Sequence, residues 1–320
     1  MDAAGWENEL DSEIKRNPVF EGVEMGVGCW QWGERFYWGY GQDYHDSDIR
    51  LAFDSSVAAG ARFFDTAEIY GSGYSETLLG EFLKTTTEQI KVATKFMPYP
   101  WRLRRGSLLR ALRASLGRLG MNRVDLYQIH QPLPPVRIET WMEGMIEAYQ
   151  AGMIGAIGVS NYDRSQTQRA FDALTRAGIP LASNQIEYSL LNRKAEKNGL
   201  IQHCQELGIT IISYSPMAKG VLTGKYTPQN LPRGFRATTY THGLLVKALP
   251  LINQLKKIGA DHGGKTAGQV ALNWTICKGT IPIPGVKNQG QAEQNNAAVG
   301  WRLSESEVAL LDDLSDRIYK

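Results

Sequence analysis

The sequence predicts a barrel of eight parallel strands, each followed by a helix, and three observations lead to that fold class. Short strands alternate with amphipathic helices along the chain, and the strands are mostly apolar throughout, as in parallel sheets covered by helices. Eight strand–helix units occupy about 290 residues, against about 250 in a typical (β/α)8 barrel. The alternative, a doubly wound sheet, is disfavoured because no strand is followed by a G-x-G-x-x-G turn.

The first four units are predicted from short apolar runs and helix-capping residues. Met25 to Trp30 forms a short strand with close-packing glycines. The first helix begins near Asp46 and Ser47, which are typical N-cap residues, because apolar residues recur at helical spacing from Ile49 onward. The next three strands are predicted at 62–65, 90–95 and 124–130, and the helices that follow them at 75–84, 106–119 and 141–151.

The second half of the chain repeats the pattern. The strand A-I-G-V ends at Ser160 and Asn161, and Asp163 caps the helix that follows. A tail helix over 304–315 carries Ser304 and Glu307 as a capping box. The other strands are predicted at 181–185, 210–214 and 280–284. The other helices are predicted at 163–177, 200–207, 244–258, 266–277 and 289–299.

The chain shows no linker, composition shift or low-complexity stretch, so we expect one barrel domain over residues 1–320, with 1–23 as an N-terminal extension. The first residues are acidic and lack an apolar core, so we expect neither a signal peptide nor a transit peptide. The expected location is the cytoplasm, or the plastid stroma if the chain comes from a plant.

Composition excludes several classes of function. A formal net charge of +2 gives no electrostatic case for binding nucleic acid or membrane surfaces, and no apolar run approaches a membrane span. Three widely spaced cysteines indicate neither a disulfide framework nor a zinc site and favour a reducing compartment, and we expect no metal. An arginine-rich run is interpreted as the solvated face of an amphipathic helix, and it comprises Arg102, Arg104, Arg105, Arg110, Arg113 and Arg118.

The segment from Gly60 to Leu83 gives the first indication of chemistry. Asp65 ends a buried strand and Tyr70 follows five residues later in a loop. The alternative is structural, an Asp that caps a turn and a Tyr that lies on the core. In a (β/α)8 barrel, however, the carboxyl ends of the strands surround the active site. The polar residues at those ends are Asp65, Lys95, His130, Ser160, Asn161, Gln185 and Tyr214, with Tyr70 in the second loop.

Four of these side chains form a plausible acid and polarising pocket for a carbonyl group. Tyr70 is a weak acid whose ordinary pKa is about 10. We expect the Lys95 ammonium to stabilise the phenolate and lower that pKa, and Asp65 to pair with Lys95. His130 can donate a hydrogen bond to a substrate oxygen.

A loop dense in aromatic residues follows the first strand, over residues 31–45. Exposed loops rarely carry so many large rings unless they cover something. The alternative is an Ω-loop packed on itself. Both interpretations remain open, and apolar or aromatic carbonyl compounds would suit such a loop.

Several motifs together resemble the aldo-keto reductase family from Met25 to Asn295. They are G-A-R-F-F-D-T-A-E-I-Y-G with S-E-T-L-L-G, D-L-Y-Q-I-H, G-V-S-N, N-Q-I-E-Y-S, Y-S-P-M-A-K-G-V-L-T-G-K-Y and I-P-G-V-K-N-Q-G-Q-A-E-Q-N. The resemblance implies a (β/α)8 barrel that uses NADPH, with Asp65, Tyr70, Lys95 and His130 as the catalytic tetrad. It implies that hydride passes to a carbonyl carbon while Tyr70 gives the proton, and that Trp30, Tyr70 and His130 contact the substrate.

The resemblance also implies the cofactor-binding positions. Ser160, Asn161 and Gln185 would hold the carboxamide, and Tyr214 would stack on the nicotinamide ring. Cys29 and Trp30 would lie beside that ring, Asp65 would also bind the cofactor, and Arg236 would clamp it. The diphosphate segment comprises Ser215, Pro216, Met217, Ala218, Lys219, Gly220 and Lys225, and the adenosine end comprises Gly285, Lys287, Gln291, Gln294 and Asn295. The long stretch after Tyr214 is similar to bacterial and plant reductases and to potassium-channel β-subunits.

Three functions remain open at this point. The first is an NADPH-dependent reductase of aldehydes or ketones, and the second is an NADP(H)-sensing regulatory subunit with slow turnover. The third is a lyase that uses Lys95 as a Schiff-base nucleophile. The natural substrate and the oligomeric state are not predicted by the sequence.

Overall fold

The structure is a computed structural model, and it describes residues 17–232 and 234–319. Within these residues, eight strands form one sheet in chain order, and every neighbouring pair is parallel. The strands are β1 (Val27–Gly28), β2 (Phe63–Asp65), β3 (Lys91–Phe96), β4 (Val124–Ile129), β5 (Ile154–Ser160), β6 (Leu181–Glu187), β7 (Thr210–Tyr214) and β8 (Ile281–Ile283).

The sheet closes on itself between its first and last strands. The backbone N–H of Gly26 donates to the Pro282 carbonyl at 2.9 Å, and that of Gly28 donates to the Pro284 carbonyl at 3.0 Å. A parallel bridge joins Gly28 to Gly285. The predicted eight-stranded barrel is therefore confirmed.

Helices follow the strands around the outside of the barrel, as predicted. Capping boxes at Asp163, Thr266 and Ser304 begin three of these helices. The helices of the described residues are α1 (Asp46–Ala58), α2 (Tyr74–Leu83), α3 (Arg105–Leu119), α4 (Ile138–Gln150), α5 (Arg164–Thr175), α6 (Lys194–Lys197), α7 (Leu200–Glu206), α8 (Phe235–Thr239), α9 (His242–Asp261), α10 (Ala267–Cys277), α11 (Gln289–Asn296) and α12 (Glu305–Arg317).

Several helical details differ from the predictions, and α4 and α9 each extend three residues beyond one predicted end, to Ile138 and Asp261. The first helix is capped by His45, because the Asp48 carboxylate accepts the His45 N–H at 2.9 Å, so Asp46 and Ser47 lie inside the helix. The short helices α6 and α8 were not predicted, since four or five residues give too little periodicity to recognise. The helix after β8 ends at Asn296, three residues earlier than expected.

The barrel interior is a cluster of small and branched apolar side chains, and it includes Ala93, Leu126, Ala156, Ala182, Ile212 and Ile281. Phe20, in a 3₁₀ turn before β1, packs against Phe63 at the start of β2, with ring centroids 5.7 Å apart. The 3₁₀ turn thus closes the amino-terminal end of the barrel. Residues 17–23 of the predicted N-terminal extension belong to this closure, and residues 1–16 lie outside the described part of the chain.

A group of partly buried charges lies away from the strand ends, and we call Arg193, Glu196, Lys278 and Asp312 the C-terminal ion cluster. Arg193 donates to Glu196 at 2.8 and 2.9 Å. Lys278 Nζ donates to Glu196 at 2.7 Å and to Asp312 at 2.9 Å. The cluster therefore joins α6 and α10 to α12.

No helix of the described residues is both long and apolar enough to cross a membrane. The three cysteines are free thiols, and Cys29 and Cys204 are buried.

Candidate active site

The polar residues at the strand ends meet at one mouth of the barrel, as the sequence predicts. They surround a cavity of about 740 Å³ at the carboxyl ends of the strands. The wall residues at the strand ends include Asp65, Tyr70, His130, Ser160, Asn161, Gln185 and Tyr214. The fold therefore brings together most of the residues from which a carbonyl site was predicted.

Asp65 and Lys95 form a buried ion pair at this mouth. Their exposed fractions are 1% and 0%. Lys95 Nζ lies 2.5 Å from Asp65 Oδ1 and donates to the Thr66 carbonyl at 2.8 Å. Burial lowers the pKa of Lys95, but the Asp65 carboxylate and the Tyr70 hydroxyl outweigh it, so the pKa is raised and the ammonium form persists.

The second oxygen of Asp65 is held by two glutamine amides. Gln128 Nε2 donates to Asp65 Oδ2 at 3.0 Å, and Gln185 Nε2 donates to it at 2.8 Å. Gln128 was not among the predicted site residues. The sequence contains a signal for it, because Gln128 lies two residues before His130, just beyond β4, and side chains two residues apart along an extended strand point to the same face.

Tyr70 begins a 3₁₀ turn after β2, and its hydroxyl lies 3.3 Å from Lys95 Nζ. The ring of His130 is perpendicular to that of Tyr70 at 5.8 Å, and Trp30 lies 6.3 Å away. Burial raises the pKa of Tyr70 more than Lys95 lowers it, so the net pKa lies above its usual value. The predicted lowering is therefore wrong, since the sequence could not show how little water reaches the hydroxyl. A raised pKa keeps the phenol protonated.

His130 is a neutral imidazole at ordinary pH. Burial, together with the nearby Lys95 ammonium, lowers the pKa of His130 to about 3. Its Nδ1 atom is buried without a hydrogen-bond partner among the described residues. A neutral ring carries one N–H donor and one acceptor, which is suited to holding a substrate oxygen.

The four residues Ser160, Asn161, Gln185 and Tyr214 form one hydrogen-bonded group. Asn161 accepts from the Tyr214 hydroxyl at 2.9 Å and donates to Ser160 Oγ at 3.0 Å. Ser160 Oγ donates to the Gln185 carbonyl at 2.9 Å. This group fixes polar atoms beside Tyr214. The family resemblance implies that these residues hold the nicotinamide carboxamide.

The segment after β7 contributes most of the predicted diphosphate residues to the cavity wall. Ser215, Ala218 and Lys219 have left-handed backbone angles, with φ of 51, 48 and 53 degrees, and Gly220 follows with a φ of 96 degrees. The wall contains Ser215, Pro216, Met217, Lys219, Gly220 and Lys225. Ala218 is the exception, because it is buried and its N–H donates to the Ser215 carbonyl inside the turn.

The segment after β8 forms the far end of the wall, with Gly285, Lys287, Gln291, Gln294 and Asn295. Lys287 Nζ lies 4.7 Å from the centre of the Tyr44 ring. Burial lowers the pKa of Lys287. Gln31 also lies in this wall and was not predicted, and a Cβ added at Gly285 would lie 2.0 Å from Gln31 Nε2.

The aromatic loop over residues 31–45 combines both interpretations of it. It packs on Trp30, which stacks on Tyr37 at 5.0 Å and meets the edge of Trp38 at 5.4 Å. It also covers the cavity, because Trp38 is a wall residue and Arg236 lies 5.3 Å above its ring. Cys29, Trp30 and Arg236 themselves lie in the wall, as predicted.

Two arginines of the arginine-rich run do not belong to a solvated helix face. Arg102 precedes α3 and pairs with Glu68, and Arg118 pairs with Glu76 at 2.6 Å. The earlier interpretation is wrong for these two residues, because their acidic partners come from another part of the chain and periodicity within one helix cannot reveal them. Among the described residues, no group of His, Cys, Asp and Glu side chains is arranged to hold a metal ion.

Comparison with known proteins gives one family. The model of the aldo/keto reductase family matches residues 24–316. A chloroplastic pyridoxal reductase of Arabidopsis thaliana is 40% identical over 301 residues, which are 90% of this chain and 82% of the relative. The aldo-keto reductase yakc of Schizosaccharomyces pombe, whose name specifies NADP(+), is 33% identical over 80% of this chain and 79% of its own.

A solved structure agrees with these relatives. An aldo/keto reductase of Klebsiella pneumoniae in complex with NADP and acetate is 26% identical, with a TM-score of 0.71. The alignment covers 91% of each chain.

Proposed function

This chain belongs to the aldo/keto reductase family and is an oxidoreductase, and we propose that it reduces the carbonyl group of an aldehyde or ketone with NADPH. In this proposal Tyr70 donates the proton. The observation that carries it is the 3.3 Å contact between the Tyr70 hydroxyl and the Lys95 ammonium at the wall of the cavity.

The chemistry of the Tyr70 cluster (Asp65, Tyr70, Lys95 and His130) supports proton donation to a carbonyl oxygen. The neutral His130 ring donates a hydrogen bond that orients that oxygen. As negative charge develops on the oxygen, Tyr70 transfers its proton, and the adjacent Lys95 ammonium stabilises the phenolate that remains. Asp65 holds Lys95 in place, and the two glutamine amides hold Asp65. Bound NADPH would supply the hydride that reaches the carbonyl carbon.

The cavity wall suits a dinucleotide that carries several phosphates. Amide groups lie at the nicotinamide end, where Asn161 and Gln185 are placed. Cations follow along the wall, with Lys219, Lys225 and Lys287. None of these three lysines forms an ion pair within the described residues, and cations that line a cavity favour an anionic ligand. The names of the S. pombe relative and of the Klebsiella complex support NADP(H) as that ligand.

The substrate proposed first is an aromatic aldehyde. The plant relative is named for pyridoxal, which is a heteroaromatic aldehyde. The wall beside Tyr70 contains the rings of Trp30 and Trp38, and large flat rings favour flat aromatic ligands. Pyridoxal and 4-nitrobenzaldehyde are therefore the compounds to test first.

The other two functions receive less support. A sensing subunit with slow turnover does not need a complete Tyr70 cluster, whereas this chain places all four members together. A Schiff-base lyase needs an uncharged lysine amine. Here Lys95 is paired with Asp65 and its pKa is raised, so it is a poor nucleophile.

Two further points belong to the proposal. The single closed sheet supports one barrel domain over the chain. The proposed location is the plastid stroma if the chain comes from a plant, as the relative named chloroplastic does, and the cytoplasm otherwise.

The test is NADPH consumption with pyridoxal and with 4-nitrobenzaldehyde, for the wild type and for Tyr70→Phe. We expect the wild type to turn over, and the variant to lose roughly 10²–10⁴ in rate, the contribution of a general acid. NADPH affinity should change by no more than a few-fold. A Tyr70→Phe variant that keeps most of its activity would show that another group donates the proton.

A further inference from the structure

The loop that carries Tyr70 is tied to β3 through Glu68, two residues before Tyr70. The Glu68 side chain is 8% exposed. Its Oε1 accepts the backbone N–H of Met97 at 2.7 Å, and its own N–H donates to the Lys95 carbonyl at 3.4 Å. The position of the loop is therefore set against the strand that carries Lys95.

Arg102 completes this connection from the loop after β3. Its Nη2 donates to Glu68 Oε2 at 3.1 Å, and its Nη1 donates to Glu68 Oε1 and to the Met97 carbonyl, the latter at 2.8 Å. The guanidinium also lies over the ring of Phe96 at 4.9 Å. Two parallel bonds fix the plane of the carboxylate, which a lysine ammonium cannot do.

We propose that the Glu68–Arg102 ion pair is a positioning device that sets the Tyr70 hydroxyl against the Lys95 ammonium. Neither residue lies in the cavity wall, so the pair acts through the loop and not by touching a ligand. The inference rests on the proposed function, since it assigns the pair to the proton-donating step. A displacement of about 1 Å at a reacting group is enough to cost about 100-fold in rate.

The same segment has a second, independent attachment, so its fold does not depend on Arg102 alone. Glu76, in the first turn of α2, is fully buried and accepts from Thr94 at 2.5 Å and from Arg118 Nε at 2.7 Å. This pair anchors the helix that follows the loop. Loss of Arg102 should therefore loosen residues 66–70 without unfolding α2.

The experiment compares Arg102→Gln, Arg102→Lys and Glu68→Gln with the control Arg104→Gln. Arg104 is exposed and makes no ion pair within the described residues, so its replacement makes the same change of charge two positions away. For each folded variant we would measure kcat and KM for 4-nitrobenzaldehyde, the Kd of NADPH, and hydrogen–deuterium exchange of the peptide over 66–74.

We expect Arg102→Gln and Glu68→Gln to lower kcat by about 10- to 100-fold. The Kd of NADPH should stay within about twofold, and exchange in 66–74 should become faster. Arg102→Lys should lie between these variants and the wild type, because it keeps the charge and loses the paired geometry. A double variant that combines Arg102→Gln with Glu68→Gln should lose no more kcat than the worse of the two single variants, because the two residues act as a unit. Arg104→Gln should match the wild type.

Two results would overturn the inference. One is an Arg102→Gln variant whose kcat and loop exchange match those of the wild type. The other is an equal loss of kcat and of NADPH affinity, which would make the pair a general support of the barrel. A wild type that reduces neither aldehydes nor ketones overturns the proposed function, and with it the catalytic role of the pair. An active wild type with an equally active Arg102→Gln variant overturns the role of the pair alone.

Discussion

The Tyr70 cluster and the C-terminal ion cluster both pair lysine with carboxylate groups, which are buried in the first and partly buried in the second, and they differ in what else those groups contact. In the C-terminal ion cluster, Lys278 meets two carboxylates and Glu196 accepts from two cations and from Tyr188. In the Tyr70 cluster, Lys95 meets one carboxylate and then a phenol.

The difference shows how similar side chains serve stability in one place and chemistry in another. Fully paired charges hold helices together and leave no group for a ligand. The Tyr70 cluster instead presents a protonated phenol and a neutral imidazole to a cavity, and both stay uncharged because burial disfavours their charged forms. Incomplete pairing beside a cavity is therefore the feature that distinguishes the site.

Between the two clusters, the largest expected difference comes from matched replacements of Lys95 and Lys278. Lys95→Met should lower the rate of aldehyde reduction roughly 10²–10³-fold, the cost of removing one group that stabilises developing charge. Lys278→Met should leave the rate unchanged and lower the free energy of unfolding by about 1–3 kcal/mol, since Glu196 and Asp312 each lose one of their donors. Urea unfolding and NADPH consumption measure the two quantities.

Lys95→Met will also destabilise the fold, because the buried Asp65 carboxylate loses its cation. Rates are therefore compared at a temperature at which both variants are folded. A folded Lys278→Met chain with a tenfold lower rate would mean that the two clusters are not separate.

Lys287 sharpens the comparison, because it is a partly buried cation in the cavity wall that forms no ion pair within the described residues. We expect Lys287→Ala to weaken NADPH binding by roughly 1.5–3 kcal/mol, the range for hydrogen bonds to charged groups. NADH, which lacks the 2′-phosphate, should bind almost unchanged. Titration of tryptophan fluorescence at one salt concentration gives the four dissociation constants, those of NADPH and NADH for the wild type and for Lys287→Ala.

The control for Lys287 is Lys247→Ala on the exposed side of α9. Lys247→Ala should change neither the Kd of NADPH nor the Kd of NADH. Equal losses for NADPH and NADH in Lys287→Ala would assign the lysine to the shared diphosphate or to the fold.

The smallest expected effect is on the pH dependence of the rate. Because the pKa of Tyr70 is raised, the phenol keeps its proton, and kcat should change by less than about twofold between pH 7 and 9 when chemistry limits the rate. A tenfold fall by pH 9 in a folded chain would restore the original expectation of a lowered pKa for Tyr70.

A fall in pH should lower the free energy of unfolding through residues of both clusters. The pKa of Glu196 is lowered to about 2, so its contribution to stability is complete above the unfolded value of about 4.3 and is lost as the pH falls toward 2. The pKa of His130 is lowered to about 3, so its contribution is lost as the pH falls from about 6.5 toward 3.

The sequence predicted the fold well, because each strand and most helices depend on local patterns. The apolar run that ends at Asp65 and the capping box at Ser304 both appear where they were expected. The cavity wall was predicted less directly, since the positions of Gly285 and Lys287 came from a family resemblance and not from periodicity.

What the sequence could not predict depends on contacts between distant segments. The net pKa of Tyr70 is set by how much water the surrounding rings exclude. The partners of Arg102 and Arg118 come from the loop and helix after β2. Gln128 was missed because alternation with His130 can place it on the same face but cannot show that its amide reaches Asp65.

The closure between the first and last strands has a consequence for how the protein is made. Trp32 Nε1 donates to the Val286 carbonyl at 3.0 Å across 254 residues of chain, and the β1 backbone bonds to the segment around β8. During synthesis, the amino-terminal half emerges from the ribosome long before the carboxy-terminal partners have been made. Strands β1 to β4 must therefore wait with an open sheet edge, which is the exposure that chaperones protect. The cavity, whose wall includes residues of β1 and of the segment after β8, can form only when nearly the whole chain has been synthesised.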